Sequence, residues 1–187
     1  MLTQQFVPTC QQMLGAMSAW LQKAEAQLTG KQAQALLGAR LADDMFPLST
    51  QVRFACVQAY EGVYRLRGEA FPDIVEELLA EGRGAGEAPG TFETARRRID
   101  ETLSFLGSLA PDALDIDPDS PVAHALPNGM IFDLTARQYV RDWATAQFYF
   151  HVMIAYAILR KEGVDLGKAD YVAHLLPFLR PGMLPAA

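Results

Sequence analysis

The sequence predicts an all-α protein: an antiparallel four-helix bundle with a short β-hairpin before the last long helix. Three observations carry that expectation. Apolar residues recur at steps of three and four through four long segments, about 3–28, 44–67, 91–109 and 135–162. The one credible β signal is Asn128-Gly129 between the short apolar runs Val122 to Leu126 and Met130 to Leu134, within a hairpin at about 121–134. Half of the 187 residues are hydrophobic (50%) and 20% are charged, the mix of a folded chain with enough length to bury a core. A single domain over 1–187 follows.

Each helix has its own punctuation. The first runs through Phe6, Cys10, Met13, Met17, Leu21 and Ala24 and ends at Thr29-Gly30. The second is expected to start at Asp43-Asp44, where a carboxylate can cap free N–H groups and Pro47 falls in the first turn. It continues through Leu48, Val52, Ala55, Ala59, Val63 and Leu66 to Gly68. Residues 72–90 are less regular. Ile74 to Leu79 has room for one or two turns, and the glycines from Gly82 to Gly90 read as a flexible insertion. Thr91 caps the third helix and Pro111 stops it. Thr135 and Gln138 form a capping-box pattern that opens the fourth. Gly163 closes that helix, with Arg160 and Lys161 at its negative end. Residues 165–187 read as a docked extension.

Composition excludes several function classes. The net charge of −6 argues against nucleic acid, and the basic run Arg96-Arg97-Arg98 is bracketed by Glu93, Asp100 and Glu101. The apolar run 143–159 is at the lower edge of a membrane span and contains Gln147 and His151; a buried central helix or a dimer-interface helix is the better reading. Met1 to Gln5 lacks the basic and apolar regions of a secretory signal, so a cytoplasmic setting is expected. Cys10 and Cys56 fall at apolar positions and read as free, buried thiols, with a disulfide as the alternative. The expected partners are a second copy, as a homodimer, and a small-molecule ligand.

The fourth helix holds the most informative residue. His151 stands alone in an almost wholly apolar stretch, with Gln147 at i−4 and Ala155 at i+4. Two readings stay open. In one, His151 is a structural core residue of a non-enzymatic homodimeric bundle, hydrogen-bonded to Gln147, a tyrosine or a backbone carbonyl. In the other it is part of a metal or small-molecule site, since bundles build such sites from facing helices. A metal needs about three protein ligands, and Asp44 is the best-placed carboxylate, ahead of Glu61 and Asp142. Tyr149 joins His151, Gln147 and Asp44 as a candidate ligand-binding residue. His124 and His174 read as ordinary surface or packing residues. No serine or cysteine sits in a nucleophile motif.

Two blocks carry a family resemblance. Ala39-Arg40-Leu41-Ala42-Asp43-Asp44-Met45-Phe46-Pro47-Leu48, with Gln51-Val52 after it, resembles the "ARLAPDMFPL..QV" signature of the bacterial DUF1993 family. Phe148-Tyr149-Phe150-His151 and Ala155-Tyr156-Ala157-Ile158-Leu159-Arg160, followed by Gly163-Val164 and Leu166-Gly167-Lys168, resemble its second signature. That family is similar to the DinB/YfiT-like four-helix bundles. Members of that superfamily often bind a divalent metal through three histidines, one on the second helix and an i, i+4 pair on the fourth. Some are hydrolases or thiol-dependent transferases. The resemblance places His151 at the second position of the pair and Gln147 at the first, where the family usually has Asn. It places Asp44 nearest the missing second-helix histidine. A divalent metal, zinc or nickel, would then rest on His151 and Asp44.

Overall fold

A computed structural model describes residues 1–183. Four long helices form the bundle: α1 (Leu2–Gln27), α3 (Leu48–Arg67), α5 (Phe92–Gly107) and α7 (Thr145–Lys161). Two shorter helices, α2 (Gly30–Leu36) and α4 (Asp73–Gly84), link the first three. Strands β1 (Pro121–Ala125) and β2 (Ile131–Thr135) pair antiparallel, with Val122 opposite Leu134 and His124 opposite Phe132. A short α6 (Ala136–Gln138) and a π-helical turn over Tyr139–Ala144 lead into α7. The chain then folds back through α8 (Lys168–Tyr171) and a 3-10 turn over Ala173–Phe178. The last few residues of the expected extension, 184–187, lie outside the described residues.

The long helices surround one core, in which Trp20, Tyr139, Phe6 and Phe148 are the largest enclosed side chains. Side-chain contacts give the helix directions. Arg96 reaches Glu25 and Leu114 N–H donates to Thr3, so α1 and α5 run antiparallel. Gln51 meets His151 and Arg65 lies beside Tyr139, so α3 and α7 run antiparallel. Cys56 bonds the Arg98 carbonyl and Tyr60 stacks on Phe105, so α3 and α5 run parallel. Trp20 against Tyr156 and Gln27 on the Gly163 carbonyl make α1 and α7 parallel too.

That topology corrects the reading of residues 72–90 as a flexible insertion. Two parallel neighbours cannot be joined by a tight turn, so the chain must travel back between them. The three-turn helix α4 is that return. Val75 and Leu78 are buried against α3, and Gly82 is buried too. The Thr50 hydroxyl donates to the Gly82 carbonyl at 2.6 Å, and Ser49 donates to the Pro89 carbonyl at 2.6 Å. Arg53, only 4% exposed, donates to Glu81 at 3.1 Å, and Glu81 is shared with Arg98 of α5. Gly82 is no linker residue: a Cβ there would stand 2.4 Å from the Phe54 ring, so its missing side chain is what lets α4 close on α3. Glycine clusters alone mark breaks and close approaches equally.

The start of α3 is also corrected. The helix begins at Leu48 with Pro47 as the residue before it, four residues later than expected from Asp44. Leu48 N–H donates to the Ala39 carbonyl and Ser49 N–H to the Leu37 carbonyl. The first donors are thus filled by the end of α2, and Asp43 and Asp44 stay in an exposed turn. Where local capping meets no such competition it forms as read. Thr91 accepts from Thr94 N–H, and Thr135 and Gln138 complete a reciprocal capping box. In the hairpin only Gly129 takes positive φ, at 86°, while the Asn128 side chain accepts from Met130 N–H.

The extension docks on α1: Trp20 Nε1 donates to the Asp170 carbonyl and Lys23 pairs with its carboxylate at 3.1 Å. Among the described residues no helix is long and apolar enough to cross a membrane. Cys10 and Cys56 are free and buried, and burial pushes both thiols up, Cys56 to about 11. Two outcomes follow. Gly82→Ala should lower stability by about 1–3 kcal/mol through the clash with Phe54, read from urea unfolding. Neither thiol should react with an alkylating reagent in the native protein, and both should react in urea, as mass spectrometry would record.

Candidate functional site

The seam between α3 and α7 carries the candidate site. His151 points across it to Gln51, a residue 2% exposed on the inward face of α3. Gln51 falls in phase with Leu48 and Ala55, so helical geometry sends its amide into the same seam. Its side-chain NH2 donates to the Phe46 carbonyl at 3.1 Å, which turns its oxygen toward the imidazole. That oxygen lies 2.9 Å from His151 Nδ1. The network therefore assigns the proton to Nδ1 and leaves Nε2 as the nitrogen with a lone pair. Nε2 has no hydrogen-bond partner among the described residues.

Aromatic rings enclose the imidazole. Phe54 stands edge-on to it at 5.4 Å and Phe150 at 5.3 Å, both nearly perpendicular. Phe46 packs edge-on against Phe54 at 5.7 Å. Phe46 and Phe150 are about half exposed, at 49% and 52%, and form the rim. Burial in this apolar surround pushes the His151 pKa down to about 4. At neutral pH the ring is uncharged, held in one tautomer and one orientation.

The other candidates fall elsewhere. Gln147, one turn before His151, is half-buried and makes no hydrogen bond with a described residue. The expectation that it partners His151 is replaced by Gln51. Tyr149 sits two residues from His151, about 200° round the helix. It faces α1 and the extension, where burial raises its pKa, with Tyr171 and Cys10 nearby. Asp44 lies two residues before Phe46 on the exposed turn that borders the rim, without an ion pair or hydrogen bond to a described residue. The α3 position that meets His151 is Gln51, not Asp44. Its one mark in the sequence is a polar amide in phase with Leu48 and Ala55, which does not name a partner.

These donors do not fit a three-ligand metal centre. The Gln51 oxygen is already committed to Nδ1, and a neutral amide is a poor ligand for zinc or nickel. Among the described residues no group of three or more His, Cys, Asp or Glu side chains is arranged to hold a metal ion.

A second imidazole, expected at the surface or in packing, is packed inside. His124 is 3% exposed, on the inward face of β1 with Val122. It packs at 4.2 Å from the Trp143 ring and 5.6 Å from Tyr139. Both its ring nitrogens are sealed from solvent without a partner among the described residues. Burial, then the nearby Arg65 charge, pushes its pKa down to about 4.

The bundle is that of a DinB-like helical protein. A DinB family member protein from Shewanella denitrificans, known from its crystal structure, is similar to this chain with a TM-score of 0.68 and 30% identity. The match covers 100% of this chain and 95% of that one. The profile of DUF1993, a domain of unknown function, matches residues 2–172, and the chain belongs to that family. No curated protein matches it.

The two depressed histidines set a pH dependence. Their folded values lie below the ordinary 6.5, so between about 4 and 6.5 the unfolded chain binds protons that the native protein refuses. Stability should be full above pH 6.5 and fall as pH drops toward 4. Urea midpoints measured across that interval check this, and His151→Gln should flatten part of the slope.

Proposed function

We propose that the protein is a small-molecule-binding bundle whose ligand rests against His151 between Phe46 and Phe150. The observation that carries this reading is the fixed, neutral imidazole: Gln51 takes Nδ1, and Nε2 is left as a hydrogen-bond acceptor in an aromatic surround. Such a site suits a flat, apolar molecule with one hydrogen-bond donor, because apolar area supplies affinity and a single polar contact supplies orientation. General-base catalysis suits it less. A base is most effective when its pKa lies near the working pH, and His151 is pushed down to about 4. Hydrolase or thiol-transferase chemistry would also need an activated water or thiolate, and no carboxylate is bonded to the imidazole to assist. A single copy suffices for this reading, since His151, Gln51 and the surrounding rings all belong to one chain.

Two measurements test it. Protein prepared without a histidine tag should carry no stoichiometric zinc or nickel, and a chelator should leave its melting temperature unchanged. A stoichiometric metal that disappears in His151→Ala would overturn the reading. A substituted phenol should bind more tightly than its methyl ether, by the ~1 kcal/mol of one hydrogen bond. His151→Phe should erase that preference while the protein stays folded. Equal binding of phenol and ether by the wild-type protein would also sink it.

A further inference from the structure

The other end of the same seam holds a second cleft. It lies about 20 Å along α3 from Gln51, given the rise of a helix. The last turn of α3, the segment after it and strand β1 enclose about 520 Å³ between Arg65, Gly68, Phe71, Ile116, Val122 and Ala123. That volume falls within the usual range for a small-molecule site.

Arg65 is the unusual member. Its neighbour Arg67 is paired with Glu69 at 2.7 Å. Arg65 forms no ion pair with a described residue. Glu61, one turn back, lies near enough to feel its charge: burial raises the Glu61 pKa and Arg65 opposes that rise, without an ion pair between them. The guanidinium lies over the Phe71 ring at 5.0 Å, and its Nη1 reaches only a long 3.4 Å contact with the Ala123 carbonyl. Its Nε is buried with no acceptor among the described residues, and the guanidinium also lies beside the Tyr139 hydroxyl. A guanidinium can only donate, so a guest that rests on Arg65 must accept hydrogen bonds. Two N–H groups of its planar fork match the two oxygens of a carboxylate. Phe71, Ile116 and Val122 supply an apolar bed beside it.

We infer that this cleft binds a small organic acid, with its carboxylate on the guanidinium of Arg65 and its apolar body against Phe71, Ile116 and Val122. Arg67 and Glu69 also line the cleft but are paired with each other, so one uncommitted guanidinium beside apolar walls favours a monoanion with a hydrocarbon body over inorganic phosphate, which needs more donors and no apolar bed. The site is separate from His151, and its readouts are local to it.

The experiment is an NMR titration of the full ¹⁵N-labelled chain with phenylacetate, hexanoate, phenylacetamide and inorganic phosphate. The two acids should shift the amides of Gly68, Phe71 and Ala123 and leave those around His151 in place. Phenylacetamide should bind about tenfold more weakly than phenylacetate, the loss expected when a charge-assisted hydrogen bond becomes a neutral one. Arg65→Gln should cost the acids about tenfold or more, while Arg83→Gln, on α4 and outside the cleft, should leave them unchanged. If Arg65→Gln does not fold, Phe71→Ala serves instead and should weaken phenylacetate with an unchanged far-UV spectrum. The inference is overturned by equal affinity for phenylacetate and phenylacetamide. It is equally overturned by tighter binding of phosphate, by wild-type affinity in the arginine or phenylalanine variant, or by no response to either acid at millimolar concentration.

Discussion

Helix α7 offers apolar side chains on most of its circumference, and enclosing them dictates where the other helices go. Phe148, Val152, Ala155, Ile158 and Leu159 are buried against α1 on one side and α3 on the other. A buried polar group in such a seam is costly unless a partner across it accepts or donates a hydrogen bond. Gln51 and His151 are matched in this way, and the match sets the register of α3 against α7. From it follow the positions of Phe54 beside the imidazole, of α4 behind Phe54, and of Arg65 beside Tyr139 at the far end.

Much of this was legible in the sequence. The four long helices, the caps at Thr91 and Thr135, the stop at Gly163 and the hairpin before the last helix are all local in origin. Each depends on residues within a few positions, and the folded chain does not override them. The failures are of the opposite kind. Asp44 reads as a cap until the carbonyls of Leu37 and Ala39 take the donors of α3. The glycines of 82–90 read as a flexible insertion until Phe54, far off in sequence, fills the space that a side chain at position 82 would occupy. In both cases a distant partner decides between two meanings of the same residue type.

The site divides along the same line. His151 was identifiable because an imidazole is conspicuous among apolar residues. Gln51 was hidden because a single amide in an α3 stripe carries no label of its own. Its role emerges only once α3 is known to run antiparallel to α7. With an amide in that place, no charge opposes the burial that keeps the imidazole neutral. A carboxylate there would favour the imidazolium, and a second imidazole would invite a metal. The chemistry of the seam is therefore set by the one position that looks least chemical.

The π-helical turn at Tyr139–Ala144 has a consequence for how this family can vary. A π turn accommodates one residue more than the α-helix around it. The residues before it, with Tyr139, serve the Arg65 end; those after it serve His151. Because the surplus residue is absorbed inside the turn, the two flanking stretches keep their own rotational phase. A relative could lose that residue and still present His151 and Tyr139 to α3, with the helix simply straightened. The turn acts as a slack link between the Tyr139 end and the His151 end of one rod, and length changes there need not disturb either.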